Sequence, residues 1–310
     1  MKCTVPLLFF FMLLTCFGVQ LFAQDFQALN PERKPIHQGD ISKYTDLQLN
    51  EDSLVYYADS MYFSTIPDYR IDGSYEFIRV FKNIMKDRSS FAYPFTKLKD
   101  KITILDAPDK SFRIYNWEVL RNNVERRYYG VIQLQDKSYI PLVDVSDNII
   151  RGAEDSTFMG TRWFGCMYYK ILQREISGEK IYFLLGWNGN SMNSEKKVVE
   201  AFGFNTKNQS VFGANVFNIL DRGQRKKTNR FILEYQKGSK LTMNYDEETK
   251  QIIFDHCESQ IGDPAKKYTY IPDGTYDGLK WDGTQWIMYE NIVRIKELQQ
   301  GDAPVDQPIK

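Results

Sequence analysis

Histidine is nearly absent from this chain. Its 310 residues include two, His37 and His256, so a site built from several histidines is excluded within one chain. The sequence also lacks the GxGxxG and GxxxxGKS/T phosphate loops, the HExxH zinc motif, the CxxC pair and the GxSxG nucleophile elbow. No motif therefore assigns a reaction to this protein.

An excess of charge of either sign is absent as well. Lys and Arg together number 40, and Asp and Glu together number 40. A chain with this balance has no long-range field that would attract nucleic acid or an anionic membrane. We therefore expect neither as a partner.

Long apolar runs are confined to the N-terminus, where the pattern predicts a secretory signal peptide over residues 1–23. Lys2 supplies the positive start, residues 5–17 are almost wholly apolar, and Ala23 is a suitable last residue before cleavage. The run is shorter than the roughly 18 to 20 residues that span a bilayer. We therefore expect export to the periplasm, cell surface or medium, with no membrane span in the mature chain. A retained anchor and a lipoprotein acylated on Cys16 are the alternatives.

Cysteine is scarce. Cys3 and Cys16 lie in the predicted signal peptide, which leaves Cys166 and Cys257 in the mature chain. After export these two could form a disulfide across 90 intervening residues, which would add roughly 4 to 5 kcal/mol through loop entropy. Two buried free thiols that act as small hydrophobic side chains are the equal alternative.

Aromatic residues, by contrast, are plentiful. The chain has 21 Phe, 20 Tyr and 5 Trp, and aromatic side chains favour pleated, half-buried surfaces. Residues 181–185 (IYFLL) have no polar face, so we expect a central strand buried on both sides. Strands are predicted over residues 102–105, 112–119, 127–134, 139–143, 163–172, 181–187, 197–204, 211–217, 229–235, 241–245 and 251–256, with a hairpin over 279–287.

These short, closely spaced strands predict a mainly β fold, an antiparallel meander that forms a sandwich or an open barrel. A β-propeller is the alternative, because Pro-Asp turns at 108–109 and 272–273 each lead into an aromatic strand. Two amphipathic helices, capped at Asn50 and Ser74, predict an N-terminal helical hairpin. The predicted order is a signal peptide over 1–23, an extended lead-in over 24–45, the helical hairpin over 46–90, the antiparallel β domain over 91–294 and a flexible tail over 295–310.

Asp255-His256-Cys257 is the most suggestive triplet in the chain. His256 could serve as a base with Cys257 as a nucleophile, or His256 could bind a ligand. Adjacent residues of a strand point to opposite faces, so Asp255 and Cys257 should share one face and His256 the other. A core or surface histidine with one hydrogen-bond partner is the simpler interpretation of His256.

Acidic turns supply a candidate metal site. Asp273, Asp277 and Asp282 could converge on a hard cation such as Ca²⁺, which takes oxygen ligands. Their spacing matches no EF-hand loop, and Asp-Gly is also ordinary turn chemistry. Ca²⁺ is the one cofactor that the sequence suggests.

Aromatic residues near the predicted hairpin supply a candidate binding surface. Tyr276, Trp281 and Trp286 could stack on the apolar faces of sugars, while core positions are the alternative. The basic run over residues 222–227 could contact an anionic surface, but a solvated loop between strands is the simpler interpretation.

A resemblance to a known family is carried by six runs: AYPFTKL, DAPDKSFRIYNWE, WFGCMYYKI, LLGWNGN, IIFDHC and PDGTYDG. Over residues 91–286 the chain resembles a family of uncharacterised exported bacterial β-rich proteins. No activity is established for that family. The resemblance therefore implies export and a β fold, and it carries over no catalytic residue.

Together these patterns predict an exported β-rich protein that binds a ligand or has a structural role in the cell envelope or extracellular space. The partner would be a glycan or an envelope protein. The alternative is an exported glycan hydrolase with paired carboxylates about 5 to 10 Å apart. The sequence thus leaves open whether the protein is an enzyme.

Overall fold

The computed structural model describes residues 45–293, apart from 123, 137, 150 and 151. The predicted signal peptide, the lead-in as far as residue 44 and the C-terminal tail therefore lie outside the described residues, together with His37. Strands make up 47% and helices 21% of the structure, which confirms the mainly β prediction and the two N-terminal helices.

Two helices form the N-terminal layer. Their bounds are Asp46–Phe63 for α1 and Pro67–Ile84 for α2. Thr45 caps α1: its side chain accepts a hydrogen bond from the Gln48 backbone N–H, and the Gln48 side chain accepts one from the Thr45 backbone N–H. The cap predicted at Asn50 is therefore wrong. Similarly, α2 begins at Pro67, a residue favoured in the first helical turn, so the cap predicted at Ser74 is wrong. Neither of these helices is long and apolar enough to cross a membrane, within the part of the chain that the structure describes.

Gly73 accounts for the misplaced helix boundary. A cap at Ser74 would place Gly73 before the helix, but Gly73 lies inside α2 and faces α1. A Cβ atom at this position would lie 3.0 Å from Ser60 Cβ and 3.1 Å from the Met61 backbone nitrogen. The missing side chain thus permits the two helices to approach closely.

Seventeen strands follow among the described residues. In chain order they are β1 Thr103–Asp106, β2 Phe112–Leu120, β3 Arg126–Leu134, β4 Tyr139–Asp144, β5 Phe158–Met159, β6 Arg162–Trp163, β7 Met167–Ile176, β8 Glu179–Asn188, β9 Ser194–Phe204, β10 Ser210–Phe212, β11 Phe217–Asp221, β12 Gln224–Thr228, β13 Arg230–Gln236, β14 Met243–Asp246, β15 Gln251–Ser259, β16 Tyr270–Trp281 and β17 Trp286–Val293.

The strands form three sheets. The first sheet has the order β1-β2-β3-β4-β6, and the central sheet has the order β5-β10-β9-β8-β7 with β13 also beside β9. The last sheet has the order β12-β11-β17-β16-β15-β14. The pairs β4–β6 and β11–β17 are parallel, and the other described pairs are antiparallel.

Helices and sheets stack in four layers. The helices cover one face of the first sheet, where the Phe81 and Tyr115 ring centroids are 4.8 Å apart. The other face of the first sheet packs on the central sheet, where the Phe112 and Tyr182 centroids are also 4.8 Å apart. The central sheet then packs on the last sheet. This stacking is a sandwich, so the propeller alternative is wrong.

Strand β8 lies at the centre of the stack. Tyr182 and Leu184 belong to the hydrophobic cluster shared with the first sheet, and Phe183 and Leu185 belong to the cluster shared with the last sheet. The prediction of a central strand buried on both sides is confirmed, because alternate residues of one strand supply both cores.

Two of the predicted strands are in fact divided between sheets. Residues 211–217 contribute to β10 in the central sheet and β11 in the last sheet, with Gly213 between them at a φ of 95°. A Cβ atom at Gly213 would lie 2.7 Å from the Ser156 carbonyl oxygen. Residues 163–172 are similarly divided between β6 in the first sheet and β7 in the central sheet. The chain changes layer at both points, which the apolar pattern of one segment does not reveal.

The basic run over residues 222–227 is not a loop. Arg222 and Gly223 form the tight turn of the β11–β12 hairpin, with φ values of 50° and 74°. The following basic residues lie on β12, the exposed edge strand of the last sheet. Lys226 Nζ lies 2.9 Å from an Asp155 carboxylate oxygen, so part of the run is neutralised within the chain.

Cys166 and Cys257 are both buried free thiols, the second of the two alternatives. Cys166 belongs to the cluster between the first and central sheets. Cys257 belongs to a separate small cluster with Tyr235 and Leu241. The two thiols thus act as small hydrophobic side chains in different parts of the core.

Candidate functional site

A cleft of about 610 Å³ lies between the central and last sheets. Strand β7 forms one wall, and the β14–β15 turn with the end of β16 forms the other. We name it the cationic cleft and define it by six of its lining side chains: Lys170, Arg174, Tyr245, Lys250, Lys280 and Trp281. It is an open site between two packed sheets.

Positive charge predominates in the cationic cleft. Among the described residues that line it, Glu247 is the one carboxylate, against four cationic side chains. The Glu247 carboxylate lies 3.1 Å from Lys170 Nζ and 3.8 Å from Lys250 Nζ. All three side chains are exposed to solvent, which screens these pairs. The cleft therefore has a local excess of positive charge on a chain that is neutral as a whole.

Aromatic rings fix one of these cations. The Arg174 guanidinium carbon lies 5.3 Å from the centroids of both the Tyr245 and the Trp286 rings. Its Nη2 atom donates a 2.8 Å hydrogen bond to the Tyr245 hydroxyl. Trp281 is half-buried, with its ring centroid 5.4 Å from those of Phe183 and Trp286. The cleft thus presents a cation and an aromatic ring that are held in place before a ligand arrives.

The structure separates the three aromatic residues that the sequence singled out. Trp281 lines the cationic cleft, and Trp286 is fully buried beneath Arg174. Tyr276 is half-buried on β16, opposite Asp255 of β15. Trp286 therefore has the core position that was the alternative, whereas Trp281 packs against the same core and also lines the cleft.

Sequence reasoning missed the cations of the cleft. Lys170 and Arg174 come from β7, Lys250 from the β14–β15 turn, and Lys280 from β16. No local pattern marks them, because the three segments meet only when the central and last sheets pack together.

A second group of polar side chains surrounds His256 on β15. His256 Nδ1 lies 2.8 Å from Asp277 Oδ2 on the neighbouring strand β16. Asp277 is buried, and its Oδ1 accepts a 3.1 Å hydrogen bond from the Asn291 backbone N–H. Burial of the ring acts to lower the pKa of His256, but the hydrogen bond and charge of Asp277 outweigh burial and raise this pKa above its usual range.

Two exposed carboxylates complete this group, which we name the His256 cluster: His256, Glu258, Asp273 and Asp277. Glu258 lies two residues after His256 on β15, and its Oε1 is 3.9 Å from His256 Nε2. One ligand atom each from His256, Glu258 and Asp273 lies within 4.8 Å of the other two. The Asp273 carboxylate also accepts hydrogen bonds from the Thr275 backbone N–H at 2.9 Å and hydroxyl at 2.8 Å.

An irregularity in the β15–β16 pairing brings Asp273 to this position. Asp255 pairs with Tyr276 and Cys257 pairs with Pro272, so one residue of β15 lies opposite three residues of β16. The Pro-Asp turn predicted at 272–273 is therefore a bulge inside a long strand and not a reversal of the chain. Gly274 in the bulge has a φ of 92°, a conformation that glycine adopts without strain.

The three aspartates of the predicted metal site do not lie together. Asp273 and Asp277 belong to the His256 cluster, but Asp282 lies in the β16–β17 turn, where it accepts hydrogen bonds from Thr284 and Gln285. Asp277 and Asp282 are five positions apart along extended strand, a distance of about 16 Å. Asp282 thus has the ordinary turn chemistry that was the alternative.

Cys257 is not activated as a nucleophile. Burial raises the pKa of the Cys257 thiol to about 12, so the thiol carries its proton at neutral pH. Asp255 accepts hydrogen bonds from the Thr242 backbone N–H and hydroxyl, at 2.5 and 3.0 Å. Of the three residues of the triplet, His256 therefore remains the candidate site residue.

Comparison with protein-family models, with curated proteins and with solved structures finds no match to this chain.

Proposed function

We propose that this chain is an exported protein that binds an acidic oligosaccharide in the cationic cleft. One observation carries the proposal: Trp281 lies half-buried beside four cationic side chains in a cleft of about 610 Å³. A flat aromatic ring offers a stacking surface for the apolar face of a sugar, and the cations offer partners for its carboxylates. The predicted signal peptide supports export.

The charge of the cleft favours an acidic ligand over a neutral one. Glu247 offsets part of the charge of Lys170 and Lys250, and Arg174 and Lys280 add two further cations. When a cleft between low-dielectric walls is lined by charges of one sign, its electrostatic field attracts a ligand of the opposite charge. The favoured ligand class is therefore a chain of uronic acids or a glycan of similar charge.

The hydrolase alternative has less support in this cleft. Glycoside hydrolysis uses two carboxyl groups about 5 to 10 Å apart, one on each side of the scissile bond. Glu247 is the one carboxylate that the described part of the chain contributes to the lining. This composition supports binding without cleavage.

Isothermal titration of the purified protein, residues 24–310, tests the proposal. An oligogalacturonate is expected to bind, and a neutral cello-oligosaccharide of equal length is not. Binding should weaken when NaCl rises from about 50 to about 200 mM, because salt screens exposed charges. Trp281→Leu and Lys280→Glu should each weaken binding by about tenfold, or about 1.4 kcal/mol.

Matched variants elsewhere in the fold serve as controls. Trp187 is half-buried on β8 and Lys82 is exposed on α2, so Trp187→Leu and Lys82→Glu should leave the affinity unchanged. Equal affinity for the neutral sugar, or an unchanged affinity in Lys280→Glu, would contradict the proposal. Shortened products after incubation would instead favour the hydrolase. Expression of the full-length chain in a bacterium tests export. If the signal peptide is cleaved after Ala23, the N-terminal residue of the processed protein is Gln24.

A further inference from the structure

The orientation of the His256 ring points to a ligand on its outer side. Asp277 is 3% exposed and lies 2.8 Å from Nδ1, so in the neutral ring the proton is held on Nδ1, which donates to this carboxylate, and the lone pair is on Nε2. Histidines that bind metals almost always donate their other ring N–H to a carboxylate, carbonyl or water in this way. The Asn291 backbone N–H holds the second Asp277 oxygen at 3.1 Å, so the orienting carboxylate is itself fixed.

Two further donors lie beside the His256 ring, and one of them, Glu258 Oε1, is 3.9 Å from Nε2. Glu258 follows His256 by two residues and therefore shares its face of β15, and the bulge in β16 adds Asp273 from the neighbouring strand. The three ligand atoms lie within 4.8 Å of one another. A tetrahedral zinc site, with bonds of about 2.0 Å, needs ligand atoms about 3.3 Å apart. Glu258 and Asp273 are exposed, so both can close this gap without repacking the core.

We propose that His256 Nε2, Glu258 and Asp273 bind one divalent transition-metal ion, with zinc as the best fit, and that Asp277 positions His256. A nitrogen donor with two carboxylates suits zinc, whereas Ca²⁺ takes six to eight oxygen ligands. The buried Asp277 behind the ring distinguishes this group from an ordinary cluster of surface acids. Three protein ligands leave a fourth position on the zinc for water.

This site is independent of the cationic cleft. The residues that line the cleft include none of the four members of the His256 cluster, and the two sites use different ends of β15 and β16. Loss of metal binding should therefore leave oligosaccharide binding unchanged, and the reverse should also hold.

Zinc titration of the purified protein, stripped with EDTA and carrying no histidine tag, tests the inference. In competition with a chromophoric chelator, the protein should take up one equivalent of Zn²⁺ per chain. His256→Ala and Glu258→Gln should abolish or greatly weaken this uptake. Asp277→Asn should weaken it by about 10- to 100-fold, because the ring loses the carboxylate that orients it.

Spectroscopy separates the positioning role of Asp277 from a role in folding. Co²⁺ bound in place of zinc should show visible d–d absorption, and Asp277→Asn should change this spectrum while the circular dichroism of the protein stays the same. If His256→Ala does not fold, the exposed Glu258→Gln variant decides the test, because its side chain is 72% exposed.

Two matched variants control for other metal-binding groups. His37→Ala removes the second histidine of the chain, and Asp282→Asn removes the predicted calcium ligand outside the cluster; both should bind zinc as the unaltered protein does. Uptake that survives His256→Ala, or that is lost in His37→Ala, would overturn the assignment. Ca²⁺ displacing zinc from the site would also overturn it.

Discussion

Arg230 and Glu200 are fully buried charged residues in the described part of the chain. They lie opposite each other on β13 and β9 with Nε and Oε2 2.5 Å apart, and both side chains are 0% exposed. The Arg230 guanidinium also lies 5.1 and 5.5 Å from the ring centroids of Phe158 and Phe164. Neither charge has solvent to stabilise it; Arg230 Nη1 also donates to the Ala153 carbonyl oxygen, but Glu200 supplies the opposite charge.

Glu200→Gln should therefore destabilise the protein strongly. The variant leaves the Arg230 charge buried and uncompensated, which costs about 3 to 5 kcal/mol. The free energy of unfolding, measured by urea denaturation, is the test, and a loss below about 1 kcal/mol would contradict the expectation. The double variant Glu200→Leu with Arg230→Met should be more stable than Glu200→Gln, because it removes both charges. The exposed pair of Glu76 and Arg79 provides the control, since Glu76→Gln should cost less than about 1 kcal/mol.

The β16–β17 hairpin shows at the scale of one element how a turn responds to pH. Slight burial acts to raise the pKa of Asp282, but hydrogen bonds from the Thr284 and Gln285 backbone amides, with those of their side chains, outweigh it and lower the pKa to about 2. Because the folded pKa lies below the ordinary value of 3.8, the charged form of Asp282 stabilises the hairpin above that ordinary value. This contribution is lost as the pH falls from about 4 to about 2.

Asp282→Asn should accordingly change the pH dependence of stability in that window. The unaltered protein should have the higher melting temperature at pH values above about 4, and the difference should shrink towards pH 2. Melting curves of both proteins across this range provide the measurement. Asp136→Asn is a matched control at another exposed turn, where hydrogen bonds from Ser138 also lower the pKa of the aspartate; it should show the same sign of effect. A difference between Asp282→Asn and the unaltered protein that stays constant down to pH 2 would contradict the linkage.

Elements that depend on local pattern could be predicted from the sequence. The apolar run at residues 181–185 gave the central strand β8, since burial on both sides leaves no polar face. The apolar stripes gave both helices, with errors at the caps. Divisions between sheets, as at Gly213, could not be predicted because they depend on which layer the next strand joins.

The candidate sites depended more on long-range pairing than on local pattern. His256 and Asp273 were singled out separately, but only the irregular register of β15 against β16 places them side by side. Trp281 was one candidate for a binding surface, but apart from Lys280 on the same strand its cationic neighbours come from β7 and the β14–β15 turn. The pairing register and sheet packing that create both sites are not encoded in any short stretch of the chain.

The protection of backbone amides from hydrogen exchange should differ between the layers of the molecule. Strand β8 contributes to two hydrophobic clusters at once, so its amides open only when both cores come apart. Hydrogen exchange with mass spectrometry should therefore find the slowest exchange in β8, and much faster exchange in β12 at the exposed edge of the last sheet. Equal rates in the two strands would contradict this expectation.

The four layers follow one another along most of the chain: helices, first sheet, central sheet and last sheet, with β5 ahead of β6 and β11 and β12 ahead of β13 as the exceptions. A chain that emerges N-terminus first thus releases most of each layer before the layer that covers it. The second face of the central sheet is fully covered only when Trp286 and its strand arrive, so a chaperone that shields apolar strands would be needed longest for this face. The cationic cleft and the His256 cluster both draw on this last sheet, so a chain cut short by proteolysis or stalled in synthesis would lack both sites.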